Sequence, residues 1–190
     1  MIEPFLIGRN VYVRGLHQSD LPAMLPWIND AEVTQLLFSG DRPASLERLT
    51  EQWEADLKSH NNIAFAACLC ATDQFIGTTG LYSINWIMRS AEFRVFVGEK
   101  GQWNKGIGTE LTRLMAIYGF DKLNLNRVWL GVNADNAGAV RAYEKAGFVR
   151  EGVLRQEQFR NNRYYDVIRM SMLRQDYEPR RDEIAAAVQR

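Results

Sequence analysis

The chain is poor in the residues that most often carry covalent or metal chemistry. Two cysteines and two histidines are spread through 190 residues. Cys68 and Cys70 lie two apart in an apolar run, so on a strand they share a face. Neighbouring same-face positions suit a disulfide poorly, and no further Cys or His stands nearby to complete a zinc site. His17 and His60 are isolated from each other and from both cysteines. No metal centre is expected.

Charge of one sign is also missing. Lys and Arg number 23 and so do Asp and Glu, for a formal net charge of zero. Neutralising phosphates demands a basic surface, so nucleic acid is not expected as the primary ligand. No apolar run approaches the roughly eighteen residues of a membrane span. The opening MIEPFLIGRN has no basic stretch ahead of a long apolar one, unlike a secretory leader. Repeats, low-complexity tracts and Pro/Gly/Ser linkers are absent. These absences lead us to expect a reduced, cytoplasmic protein, with one domain over residues 1–178. The remaining 179–190 read as a short terminal helix or a frayed end.

What is present is alternating periodicity. NVYVRGL (10–16) alternates as a strand does, and SDLPAMLPWINDAEV begins with cap-type Ser19 and Asp20 before turning helical. Residues 45–59 carry Leu46, Leu49, Trp53 and Leu57 as a helical stripe. NIAFAACLC and FIGTTGLYSI read as two strands joined by a polar turn. AEFRVFVG (91–98) alternates strongly, with Phe93, Val95 and Val97 on one side and Glu92, Arg94 and Phe96 on the other. A helix follows to about Lys122, then the strand RVWLGV, a helix over 136–146 stopped by Gly147, and two further strands. Strand–helix–strand crossovers in the second half make this a mixed α/β domain.

One stretch needs its own explanation. GQWNKGIGTELTRLMAIYGF (101–120) sets Gly106 and Gly108 at the mouth of an apolar-periodic helix, although glycine lowers helix propensity by about 1 kcal/mol. A P-loop would need Lys after the last glycine, but Lys105 precedes Gly106. A dinucleotide fingerprint would need a third glycine where Leu111 stands. There remain a plain tight turn and a G-x-G turn that aims backbone N–H groups and a helix N-terminus at an anion.

VFVGEKGQWNKGIGTELTRLMAIYGF followed by VWLGVNADNAGAVRAYEKAGF resembles the GCN5-related N-acetyltransferase (GNAT) superfamily, with both motifs in the family's order and spacing. The likeness runs from the first strand to about Tyr177. The resemblance implies a central, mostly antiparallel twisted sheet of about seven strands, with a splayed parallel pair (the fourth and fifth) and about four helices. It implies acetyl-CoA as cosubstrate. The family's (Gln or Arg)-x-x-Gly-x-(Gly or Ala) signature falls on Trp103, Asn104, Lys105, Gly106, Ile107 and Gly108. Trp in the first position is similar to the ribosomal-protein (RimJ/RimL-like) and spermidine acetyltransferase branches. This loop, with Thr109 after it, would hold the diphosphate through its main chain. Lys105 either adds charge or is merely solvated.

The same resemblance places the thioester beside Phe96 and Val97, with the Val97 N–H as oxyanion donor. Asn136 would bond the pantetheine arm, and it is also a good N-cap. Tyr143, two turns along that helix, would protonate the leaving thiolate, since a phenol's pKa of about 10 lies near a thiol's. A lysine-like amine costs roughly 4–5 kcal/mol to deprotonate at pH 7, so a base helps. Glu92 is the expected base, with Asp166 as runner-up and Glu151 third, and an ion pair with a neighbouring Arg is the plainer role for Glu92. The acceptor is left open among protein N-termini, amino sugars and polyamines, and the hairpin over 151–173 would border it. A catalytically silent, coenzyme A-binding sensor is the alternative. Homodimers are common among similar proteins, and Trp27, Trp53 and Trp86 would suit an interface, or equally a core.

Overall fold

The computed structural model describes residues 3–38, 40 and 42–189. Two short strands open the chain, β1 (Leu6–Ile7) and β2 (Val11–Gly15), where one was expected. They form a tight hairpin, with the Gly8 N–H donating to the Val11 carbonyl at 2.8 Å. The helical stretch that follows is split into α1 (Leu21–Ile28) and α2 (Ala31–Thr34). Asp30 causes the split. Its backbone is extended and its carboxylate caps the Glu32 and Val33 N–H groups, so a new helix starts there.

Helix α3 (Leu46–Lys58) is capped by Ser45. Its expected stripe is only half used, because Leu46 and Leu57 are exposed. Strands β3 (Ile63–Leu69), β4 (Phe75–Asn85) and β5 (Ser90–Val97) make an antiparallel meander. Helix α4 (Ile107–Ile117) ends in a π-turn over Tyr118–Lys122, and β6 (Arg127–Asn133) and α5 (Ala137–Ala146) follow. Strands β7 (Val149–Arg160) and β8 (Arg163–Leu173) are joined through Asn161 and Asn162, both left-handed at φ 49° and 57°. That is the geometry a two-residue hairpin turn requires. Helices α6 (Arg174–Tyr177) and α7 (Arg181–Ala186) complete the described chain.

One eight-stranded sheet results, in the order β1-β2-β3-β4-β5-β6-β8-β7. The extra β1 makes eight strands where about seven were expected, so the expected fourth and fifth are β5 and β6. Seven α-helical segments stand among the described residues against about four expected, the surplus being the short α2, α6 and α7. Phe93, Leu111, Met115, Val128, Leu130 and Met170 belong to one buried cluster on the α4–α5 side of the sheet. Ile184 and Val188, beyond residue 178, join the same core. Of the three tryptophans weighed for an interface, two are packed within the chain. Trp27 lies over Gly98 and against Phe75, and the Trp53 indole donates to the Leu16 carbonyl. Only Trp86 is exposed, at 48%.

The feature that positions the site is the β5–β6 junction. These strands run parallel and pair only over Ser90–Glu92 and Arg127–Trp129. Beyond that, β5 stays zipped to β4 as far as Val97, and β6 to β8 as far as Asn133. Each strand follows its outer neighbour, and a V-shaped cleft opens between them. Gly77 permits the far end of β5 to lie as it does, because a Cβ there would sit 1.9 Å from the Phe96 carbonyl oxygen.

Candidate active site

The open edge of β5 supplies the first functional groups. Gly98 N–H donates to the Ile76 carbonyl at 3.0 Å, so Gly98 faces β4. By strand alternation the main-chain groups of Val97 face the other way, into the cleft. The Val97 carbonyl is taken by the Trp103 indole N–H at 2.8 Å. Its N–H is left on the cleft edge, where the family resemblance implies an oxyanion donor. Trp103 therefore has a use that a Gln or Arg reading would not suggest: it staples the end of the strand to the glycine loop.

That loop ends in a concavity of N–H groups. Asn104 and Gly106 are both left-handed, at φ 61° and 82°, and Gly106 caps α4 without any side-chain acceptor. The N–H groups of Ile107, Gly108 and Thr109 have no intrahelical partner by helix geometry. A Cβ added at Gly106 or Gly108 would meet nothing within 4 Å. Donors, helix dipole and empty space thus coincide, and together they fit a diphosphate. Ile107 works differently, since its buried side chain anchors the loop in the core. Lys105 is exposed and reaches Gln102 Oε1 at 3.5 Å.

Two residues that sequence reasoning passed over hold this end in place. Glu110, buried in the first turn of α4, accepts from Asn10 N–H and Asn10 Nδ2 at 2.8 Å each, and from Val11 N–H at 3.3 Å. An acid in a first helical turn ordinarily reads as dipole compensation, and nothing local signals its bond to a turn a hundred residues away. Lys100 reaches Asp30 at 2.7 Å and Glu32 at 2.5 Å, tying the loop's approach to the α1–α2 junction.

Tyr143 lies on the core side of the cleft. Its ring meets Phe93 edge-on, with centroids 6.0 Å apart. Burial pushes the phenol up to about 12, above the ordinary 10, so it stays protonated throughout the neutral and mildly alkaline range. Asn136 caps α5, its Oδ1 accepting the Ala139 N–H at 3.1 Å. Its plainer role is thus realised, and among the described residues its Nδ2 has no partner.

Glu92 ends the paired stretch, at the apex of the V opposite Trp129. It points to the other face of the sheet from Phe93 and Tyr143, so the expected acid and base meet only through the cleft. Its carboxylate pairs with Arg94 at 2.6 Å and keeps 21% of its side chain exposed. Arg94 in turn lies over the Tyr82 ring at 4.7 Å. Trp129, on that same face, carries Arg169 at 4.4 Å. Phe96 turns to this side as well and meets Trp27.

The reserve bases are otherwise engaged. Asp166 accepts the Gln156 N–H at 2.9 Å inside a bulge of β7. Glu151 is bound by Arg127 and Ser171 near the closed end of the β5–β6 pair, and Arg127 holds its carboxyl down at about 2. A carboxylate so stabilised is a poor proton acceptor.

Known proteins are similar to this chain in sequence and fold. Residues 10–149 match the acetyltransferase (GNAT) domain. A spermidine N(1)-acetyltransferase of Escherichia coli K12 is 31% identical over 170 residues, covering 90% of this chain and 89% of that one. One from Vibrio cholerae is 42% identical over 107 residues, 56% of this chain and 61% of the other. The crystal structure of a Vibrio cholerae spermidine N-acetyltransferase in complex with CoA and spermine superposes with a TM-score of 0.81 at 32% identity. It covers 88% of this chain and 98% of that one. With the diphosphate cradle, the splayed strands and these relatives in agreement, the chain belongs to the GNAT acetyltransferase family and is an acetyl-CoA-dependent N-acetyltransferase.

Proposed function

We propose that the acceptor is the primary amine of a polyamine and that transfer is direct, within a ternary complex. The relatives named for spermidine, and the structure holding CoA and spermine, support this reading. The single observation that carries the chemistry is the open β5 edge at Val97, with the buried Tyr143 phenol on one face and Glu92 on the other.

Bound acetyl-CoA supplies a thioester, an acyl carbon with a good leaving group. Glu92, on exchanging Arg94 for the cationic acceptor, takes the ammonium proton directly or through water. The Val97 N–H meets the negative charge that develops on the acyl oxygen. A bond forms from the amine nitrogen to carbon, the carbon–sulfur bond breaks, the Tyr143 hydroxyl gives its proton to the departing sulfur, and the second proton that the nitrogen sheds as it becomes an amide restores the phenol. The glycine loop holds the diphosphate, and Asn136 offers its Nδ2 to the pantetheine arm. A cytoplasmic homodimer completes the reading. The free thiols of Cys68 and Cys70 and the exposed apolar tip of Trp86, Ile87 and Met88 support it.

A second reading has one observation in its favour. Arg169 stacks on Trp129 and, among the described residues, has no carboxylate within ion-pair distance. An acceptor carrying a carboxylate or phosphate beside its amine would use it. Steady-state turnover of spermidine, spermine, an amino-sugar phosphate and an N-terminal peptide separates the two. We expect kcat/KM to favour the polyamines, and Tyr143→Phe to lower kcat about 100-fold with the acetyl-CoA KM unchanged. Preference for the anionic amines, abolished by Arg169→Gln, would replace the polyamine reading with the second. Full kcat in Tyr143→Phe would remove the phenol from the chemistry.

A further inference from the structure

On the acceptor side, the Thr34 carbonyl that ends α2 accepts the Leu37 N–H at 3.0 Å, and further donors come from the far end of the chain. Terminal helix carbonyls need donors from elsewhere. The Thr34 carbonyl receives Arg160 Nη1, which also reaches the Leu37 carbonyl at 3.2 Å. The Leu37 carbonyl receives Gln158 Nε2 as well. Gln158 is 7% exposed, although nearly all of β7 around it lies open to solvent. It is turned inward where β7 slips register against β8 between Leu154 and Gln158.

The Gln158 amide also looks toward the cleft. Its Oε1 accepts Asn133 Nδ2 at 2.6 Å, and Asn133 is the last residue of β6, 1% exposed. Asn133 Oδ1 accepts the Asp135 N–H at 2.8 Å, and the Asn133 carbonyl accepts the Asn136 N–H at 2.9 Å. One buried glutamine thus links the segment after α2 to the turn that launches α5 and its Tyr143. Between them, the Phe38 ring lies over Gly131 of β6, 3.7 Å from where a Cβ would stand, with 57% of the residue exposed. Phe38 sits on the same face as Trp129 and Glu92.

We infer that Gln158 is a positioning residue for the acceptor: by binding the Leu37 carbonyl and Asn133 together, it sets the distance between the Phe38 wall and β6. The inference rests on the reading above in one respect, that the amine enters on the Glu92 face. A buried polar pair with one member removed leaves an unsatisfied group and a displaced segment. The displaced segment is the wall, while among the described residues the glycine loop shares no hydrogen bond with Gln158 or Asn133.

The test is a split of Michaelis constants. Gln158→Met keeps the length of the side chain and removes both hydrogen bonds. We expect the KM for the amine to rise about ten-fold, as loss of a buried hydrogen bond implies, with the acetyl-CoA KM unchanged. Phe38→Ala, at an exposed position where folding is safe, should move the amine KM in the same direction. It decides the matter if Gln158→Met does not fold. An unchanged amine KM in both variants, or both constants rising together, overturns the inference. Because the comparison is made against wild type on whichever amine wild type accepts, refusal of polyamines by wild type would defeat the acceptor reading alone.

Discussion

The two ends of the cleft are built from different material. The end proposed for the diphosphate is one contiguous stretch, Val97 to Thr109, and it offers main-chain N–H donors set by two left-handed residues and a helix start. The end proposed for the acceptor is built from residues more than a hundred positions apart, Gln158 and Arg160 holding the carbonyls of Leu37 and Thr34. Backbone donors survive side-chain substitution unless the new atoms fill their space. A wall held by buried side chains changes with each of them. One end is therefore suited to a constant ligand and the other to one that varies.

The largest expected effect strikes the contiguous end. Gly108→Leu places a side chain where nothing stands within 4 Å. Leu is the better helix former by nearly 1 kcal/mol, so thermal unfolding should show an unchanged or raised Tm. Displacing the diphosphate from two charge-assisted N–H bonds costs about 3 kcal/mol, roughly a 100-fold loss of acetyl-CoA affinity by calorimetry. A Tm and an affinity that fall together would break the comparison, because the glycine would then serve folding.

Trp103→Phe sharpens it. The ring remains and only the donor to the Val97 carbonyl is lost. About 1 kcal/mol, or a five-fold fall in kcat/KM for acetyl-CoA, should follow, with the amine KM unmoved. A change confined to the amine would place this staple on the wrong side of the cleft.

The smallest effect lies at the root of the hairpin. Glu151 has a folded-state value of about 2 against an ordinary 4.5. A depressed carboxylate contributes stability above its unfolded value and loses it as the pH falls through its folded one. Between about pH 4.5 and 2 the wild-type Tm should thus fall more steeply than that of Glu151→Gln, and the two should converge below that window. Parallel curves would show that Arg127 and Ser171 add nothing measurable there.

The contiguous end was largely legible because each of its signals is local. Gly106 and Gly108 before an apolar helix are read within one turn of chain, and so, at α5, are Asn136 as a cap and Gly147 as a stop. Glu92 was only partly legible. Alternation put it on the Phe96 face, and the arginine it pairs with proved to be Arg94, two residues on. Glu110, Asn133 and Gln158 were invisible for a common reason. Each is a polar residue in an unremarkable local pattern whose partner lies 25 to 121 positions away. The split of α1 from α2 was missed although Asp30 is a good cap, because a periodic apolar pattern continues through it.

By itself the sequence determined the alternation of strands and helices and the glycine turn that opens α4, while the family resemblance supplied the cradle's ligand and the candidate proton donor. Periodicity, capping and glycine geometry act over a few residues and need no partner. Only the tertiary structure decided where β5 parts from β6, which face each carboxylate takes, and what closes the acceptor side. Those depend on which distant groups satisfy buried polar atoms, and desolvation enforces that choice only once the chain has folded.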